Sequence, residues 1–77
     1  MDQKLNKFRA QLNYLRIFKA LPDGALVDLK TLSTLASRSR SSIYRDIRLG
    51  HLSKPIRLGK SSSRWRVEDV RAYLNGN

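Results

Sequence analysis

The sequence predicts a mainly helical domain closed by one small β-hairpin, and three observations carry that expectation. Apolar residues recur at helical spacing in separate segments before and after residue 50. Between Ile56 and Arg66 the period changes to alternation, with Arg57 between Ile56 and Leu58, and Trp65 between Arg64 and Arg66. Turn residues punctuate the segments at Pro22-Asp23-Gly24, Ser37-Arg38 and Gly50. Two short helices, a basic hairpin and a closing helix in that order make a winged helix-turn-helix over residues 25–77. An extra basic amphipathic helix precedes it in residues 1–21.

The chain has 77 residues, enough for one domain with a small core. It contains no cysteine, so neither disulfides nor thiolate metal sites brace it, which fits a cytoplasmic home. No run reaches the roughly 20 apolar residues of a membrane span, and no signal peptide is expected. Charge is more informative. Sixteen Lys and Arg against six Asp and Glu leave a net charge of +10, which calls for an anionic partner.

The first helix is expected over Lys4 to Leu21. Leu5, Phe8, Leu12 and Leu15 recur at spacings of three, four and three, and Ile17, Phe18 and Leu21 broaden the stripe. Lys7, Arg9, Arg16 and Lys19 populate its other faces. The favoured reading packs this stripe on the domain; the alternative is self-association, for which two turns of heptad-like spacing are too short to be diagnostic. A membrane-surface role is disfavoured, because the apolar face is not Trp-rich.

Pro22-Asp23-Gly24 separates that helix from a unit beginning near Ala25, where Leu26-Val27 is a short extended segment. Asp28 then caps a helix with apolar positions Leu29, Leu32, Leu35 and Ala36. Val27 and Leu32 occupy the hydrophobic-staple positions around it.

Ser39 caps the next helix, which runs to Arg48 and is stopped by Gly50. Ile43, Tyr44 and Ile47 are assigned to its core side, with Ser41, Ser42 and Arg45 opposite and Arg48 at the margin. From Arg38 to Arg66 the chain holds nine cations and one acid, Asp46, and seven of the nine are arginine. Arginine suits bidentate contact with phosphate and guanine edges. The candidate recognition helix therefore offers Ser39, Arg40, Ser41, Ser42, Arg45 and Arg48 to duplex DNA. Short serine hydroxyls beside arginine also allow close approach to phosphate.

The hairpin has Pro55 at the start of its first strand and a loop over Gly59-Lys60-Ser61-Ser62-Ser63. Arg57, Lys60, Ser61, Ser62, Ser63, Arg64 and Arg66 are its candidate contacts, and Arg38 and Lys54 are further candidate phosphate contacts. Trp65 is assigned to the core beneath. Val67 to Leu74 forms the closing helix, apolar at Val67, Val70, Tyr73 and Leu74. Its first turn carries Glu68 and Asp69, where the helix dipole favours anions.

Enzymatic chemistry finds no support. Gly59-Lys60-Ser61 is similar to the end of a phosphate-binding P-loop, but the required preceding glycine would fall at Lys54. His51 is the only histidine, and its place just after a helix-ending glycine suits a solvated turn rather than a triad or a metal site. No cofactor is expected.

From Leu26 to Leu74 the chain resembles the AlpA-type family of prophage regulators and excisionases, within the MerR-like winged-helix group. Ser39-Arg40-Ser41-Ser42-Ile43-Tyr44-Arg45 is similar to the family's S-R-S-T-I-Y-R. Lys54-Pro55-Ile56-Arg57-Leu58-Gly59, Trp65-Arg66 and Val70-Arg71-Ala72-Tyr73-Leu74 continue the likeness. The resemblance implies that the second helix enters the major groove and the wing meets the minor groove or backbone. It implies binding and bending of DNA near an attachment site, steering a phage-type integrase toward excision, or regulating transcription. Carried over, Arg40, Ser41, Ser42 and Arg45 are the helix contacts, and Lys60 to Ser63 with Arg64 lie on the wing. The chain departs from the family at Ser37-Arg38, where a glycine and an apolar residue are usual, and at Leu52-Ser53, usually Phe-Pro. The N-terminal helix lies outside the shared pattern.

The leading expectation is thus a DNA-binding accessory protein, nucleoid-associated when bound, with possible self-association on DNA through the N-terminal helix. The alternatives are a basic RNA-binding or ribosome-associated protein, and a protein-interaction module using that helix.

Overall fold

The computed structural model describes the backbone of residues 3–76 and the side chains of residues 5–76. Met1, Asp2 and Asn77, included in the ranges 1–21 and 25–77 above, lie outside the described residues. The described residues form four helices and a three-stranded antiparallel sheet, an arrangement compatible with a winged-helix fold. In chain order these are α1 (Gln3–Lys19), β1 (Leu26–Val27), α2 (Leu29–Ala36), α3 (Arg40–Arg48), β2 (Ile56–Leu58), β3 (Ser62–Arg66) and α4 (Val67–Leu74).

Helix α1 ends at Lys19, two residues earlier than its apolar spacing predicts. Leu21 precedes Pro22, whose ring disfavours a helical conformation in the residue before it. Ala20 and Leu21 instead close tight turns onto the carbonyls of Ile17 and Phe18. The apolar stripe also divides differently from the expectation. Phe18 joins the buried core and Tyr14, Leu15 and Leu21 pack against it, while Leu5, Phe8, Leu12 and Ile17 stay exposed. The docking face is centred on Phe18, a helical step away from the Leu5–Leu12 line. Gln11 reinforces it, its Nε2 donating to the carbonyl of Leu35 at 3.2 Å.

Arg71 of α4 ties α1 to the rest of the molecule. Its guanidinium lies 5.5 Å from the Phe18 ring centroid, donates to the Leu21 carbonyl at 2.6 Å and pairs with Asp23. The first helix and the following unit therefore share one core.

The sheet has the order β1-β3-β2. The hairpin pairs Ile56 with Arg64, Arg57 with Ser63 and Leu58 with Ser62, so Ser62 and Ser63 belong to the strand and the loop shortens to Gly59-Lys60-Ser61. Gly59 takes φ 78°, a left-handed conformation that favours glycine. On the other edge of β3, Leu26 pairs with Arg66 and Val27 with Trp65. The same segment completes α4, which has no capping side chain. The amides of Val67 and Glu68 donate instead to the carbonyls of Ala25 and Asp23.

The core comprises Phe18, Val27, Leu32, Leu35, Ile43, Leu52, Trp65, Val67 and Val70. Trp65 is its largest member and its indole N–H donates to the Ser53 carbonyl at 3.1 Å, which pins the α3–β2 connection over the sheet. A buried indole needs such a partner, because an unpaired N–H in an apolar interior costs about 1–3 kcal/mol.

Candidate nucleic-acid interface

Both helices of the α2–α3 pair have side-chain caps at their starts. Asp28 accepts from the Thr31 amide at 2.8 Å, and this bond holds its carboxyl below the ordinary carboxylate value. Ser39 accepts from the Ser42 amide at 3.2 Å and its hydroxyl donates to Ser42 Oγ at 3.0 Å. These two serines are thus engaged in starting α3, while remaining near its surface.

Both helices end in the same doubly bonded turn. The amides of Gly50 and His51 donate to the carbonyls of Ile47 and Asp46, with Gly50 at φ 83°. The amides of Ser37 and Arg38 donate to the carbonyls of Thr34 and Ser33, with Ser37 at φ 54°. This is the Schellman arrangement, which places its left-handed residue just past the helix. Glycine supplies it after α3 and serine after α2. Ser37 is the one non-glycine with positive φ among the described residues. The Ser33 hydroxyl donates to the Arg38 carbonyl at 2.5 Å and clamps the turn that sets the direction of α3.

Helix α3 then buries Ile43 and Asp46, half-buries Ile47, and exposes Arg40, Ser41, Tyr44, Arg45 and Arg48. One assignment made from the sequence changes, and the structure adds a second feature. Tyr44 is 42% exposed rather than in the core. It lies in the i, i+4, i+8 row of Arg40 and Arg48, turned about 100° from Ile43 and about 60° from Ile47. Asp46, the lone acid of the basic stretch, is buried rather than displayed.

Asp46 explains the position of Arg38. Its Oδ2 accepts from the Tyr73 hydroxyl at 2.5 Å and lies 3.0 Å from Arg38 Nε. That Nε–H is not aligned on the oxygen and makes no hydrogen bond; the aligned bond runs from Arg38 Nη2 to Oδ1 at 3.3 Å. The Tyr73 bond, then the Arg38 charge, hold the Asp46 carboxyl below its ordinary value against the opposing effect of burial. Arg38, expected as a phosphate contact, is thereby engaged on the side of α3 opposite Arg40, Tyr44 and Arg48.

A cleft of about 240 Å³ separates α3 from the hairpin, lined by Asp28, Leu29, Lys30, Arg40, Tyr44, Ser61, Ser63 and Arg64. The structure thus brings Arg40 of the helix together with Ser61, Ser63 and Arg64 of the hairpin. Arg64 donates to the Ser63 carbonyl at 2.9 Å, and Arg57 donates across the strands to Ser63 Oγ at 3.1 Å. Ser41, Arg45 and Arg48 continue the exposed face of α3, and Lys60 is exposed at the hairpin tip. Lys54, Ser62 and Arg66 lie outside the lining of the cleft, Lys54 and Arg66 exposed and Ser62 half-buried.

Of the cleft's lining, Asp28 and Leu29 were expected as cap and core, and Tyr44 and Lys30 are the further residues not expected as contacts. The signal for Tyr44 was its spacing of four from both Arg40 and Arg48; Lys30, on α2, carried no signal before the hairpin was placed. Among the described residues no group of three or more His, Cys, Asp or Glu could hold a metal ion, and no helix is long and apolar enough to cross a membrane. Comparison with family models, with curated proteins and with solved structures finds no match to this chain.

Proposed function

We propose that the chain is a winged helix-turn-helix protein that binds duplex DNA in a sequence-specific manner and acts by binding rather than catalysis. One observation carries this reading. The exposed face of α3 holds Arg40, Tyr44, Arg45 and Arg48 without an acid, and it borders the same cleft as Arg64 and the serines of the hairpin. Helix α3 enters the major groove, Arg40 and Arg45 read base edges, and Arg48, Arg57, Lys60, Arg64 and Arg66 contact phosphate. The resemblance to AlpA-type proteins supports the more specific role. It is an accessory factor of a prophage or other integrative element, an excisionase that bends DNA near an attachment site, a transcriptional regulator, or both. A phage-type integrase is then its functional partner.

Salt dependence of binding tests the phosphate footprint. Neutralising about six phosphates gives a slope of log K against log salt near −5, and a nearly flat slope would overturn the reading. A second reading, RNA binding, gains from the exposure of Tyr44, because single-stranded RNA is commonly held by aromatic stacking. Competition between duplex DNA and structured RNA at equal salt separates the two, duplex preference being expected.

A further inference from the structure

Helix α1 contributes a second surface that the DNA-binding reading leaves without a role. Leu5, Phe8 and Leu12 are 41%, 55% and 45% exposed, and they continue to the half-buried Leu15 at spacings of three, four and three. These are the a and d positions of a two-heptad seam. One edge of that seam is closed by the protein itself, because Gln11 is bonded to the Leu35 carbonyl and Phe18 is in the core. The open edge carries Arg9 and Arg16, seven residues apart and both exposed. The described α1 sequence contains no acid.

We propose that this face docks an acidic amphipathic helix of another protein, with its apolar stripe on Leu5, Phe8 and Leu12 and its carboxylates opposite Arg9 and Arg16. Charge decides the occupant. A second copy laid antiparallel brings the arginines of this edge against one another and leaves them unpaired beside an apolar seam. An acidic helix converts the same two positions into paired contacts. The face lies on α1, and none of its residues lines the cleft between α3 and the hairpin.

The full-length chain can be titrated against a labelled synthetic helix of three heptads, about 21 residues, with Leu at a and d and Glu at e and g. A twin peptide with Lys in place of Glu is the control. The Glu peptide is expected to bind saturably, and the Lys peptide about tenfold or more weakly. The double variant Arg9→Glu/Arg16→Glu should reverse that preference. Phe8→Ser should remove binding of either peptide while leaving the far-UV spectrum and duplex-DNA affinity unchanged. Equal affinity for both peptides, no binding at about 100 µM, or indifference to charge reversal would each overturn the proposal. So would a concentration-dependent dimer abolished by Phe8→Ser, or binding to phosphatidylglycerol vesicles abolished by it. Loss of DNA binding in a folded Phe8→Ser variant would assign the face to DNA and overturn it as well.

Discussion

The hydroxyl of Tyr73, in the last turn of α4, donates a 2.5 Å hydrogen bond to Asp46 on the buried side of α3. The closing helix thereby holds the candidate recognition helix from behind, and Arg38 joins the same carboxylate from the turn that precedes it. Burial first, and then the bond to Asp46, push the Tyr73 hydroxyl up to about 12.

This pairing makes stability depend on pH at both ends. Asp46 is depressed in the folded state, so its contribution is present above the ordinary carboxylate range near 4 and lost as pH falls through the lowered value. Tyr73 is raised, so its contribution is present below about 10 and lost as pH rises toward about 12. Urea midpoints for the wild type and Tyr73→Phe should differ by a constant amount between about pH 5 and pH 9. The gap should narrow on either side. A gap that persists unchanged into acid and alkali would show that their bond does not link stability to pH.

Ser37 is expected to be a point of avoidable strain. Its left-handed backbone disfavours any residue with a Cβ, and replacement by glycine relieves that cost while loosening the unfolded chain. Ser37→Gly should stabilise the domain by about 0.5–1 kcal/mol and raise Tm by about 4 °C. A β-branched residue there should lower Tm. A thermal melt that fell for Ser37→Gly would mean that the serine side chain contributes more than its backbone costs.

Much of this fold was legible because its signals are local. Asp28 and Ser39 as caps, Gly50 as a stop and Trp65 between two arginines each declare their role within a few residues, and all four hold. What was not legible depends on distant neighbours. Tyr44 is apolar enough for a core, and only the placement of Ile43 and Ile47 turns it outward. Asp46 is a surface residue by type, and Tyr73, 27 positions away, together with Arg38 makes its burial tolerable. The pairing of Leu26-Val27 with β3 likewise needs a partner some 40 residues downstream, which no period within the segment reveals.

Substitution of single arginines should separate base reading from phosphate contact. Arg45→Ala is expected to cost about 1–3 kcal/mol on the preferred duplex and to relax discrimination at one base position. Lys60→Ala should weaken all duplexes alike and lower the salt slope by about 1. Arg38→Ala should behave differently from both, lowering Tm while leaving the salt slope unchanged, because its guanidinium faces Asp46. Gel-shift titrations at several salt concentrations, on cognate and random duplexes, read all three outcomes. A salt slope reduced by Arg38→Ala would return that residue to the DNA footprint.

Tyr44 provides the sharpest contrast between a packing and a binding role. Ile43, fully buried beside it, should cost about 2–5 kcal/mol of stability when cut to alanine. Tyr44→Ala removes a ring that stands outside the core and is 42% exposed, so its effect on folding should stay at about 1 kcal/mol. On DNA the order should reverse. Between Arg40 and Arg48, the ring can meet a thymine methyl or the hydroxyl can meet a phosphate, and loss of either should weaken binding by about 1–2 kcal/mol. Tyr44→Phe distinguishes them. Affinity retained in Phe and lost in Ala assigns the contact to the ring, and equal loss in both assigns it to the hydroxyl. A Tyr44→Ala variant that unfolds, or that binds DNA as tightly as the wild type, would remove the residue from the interface.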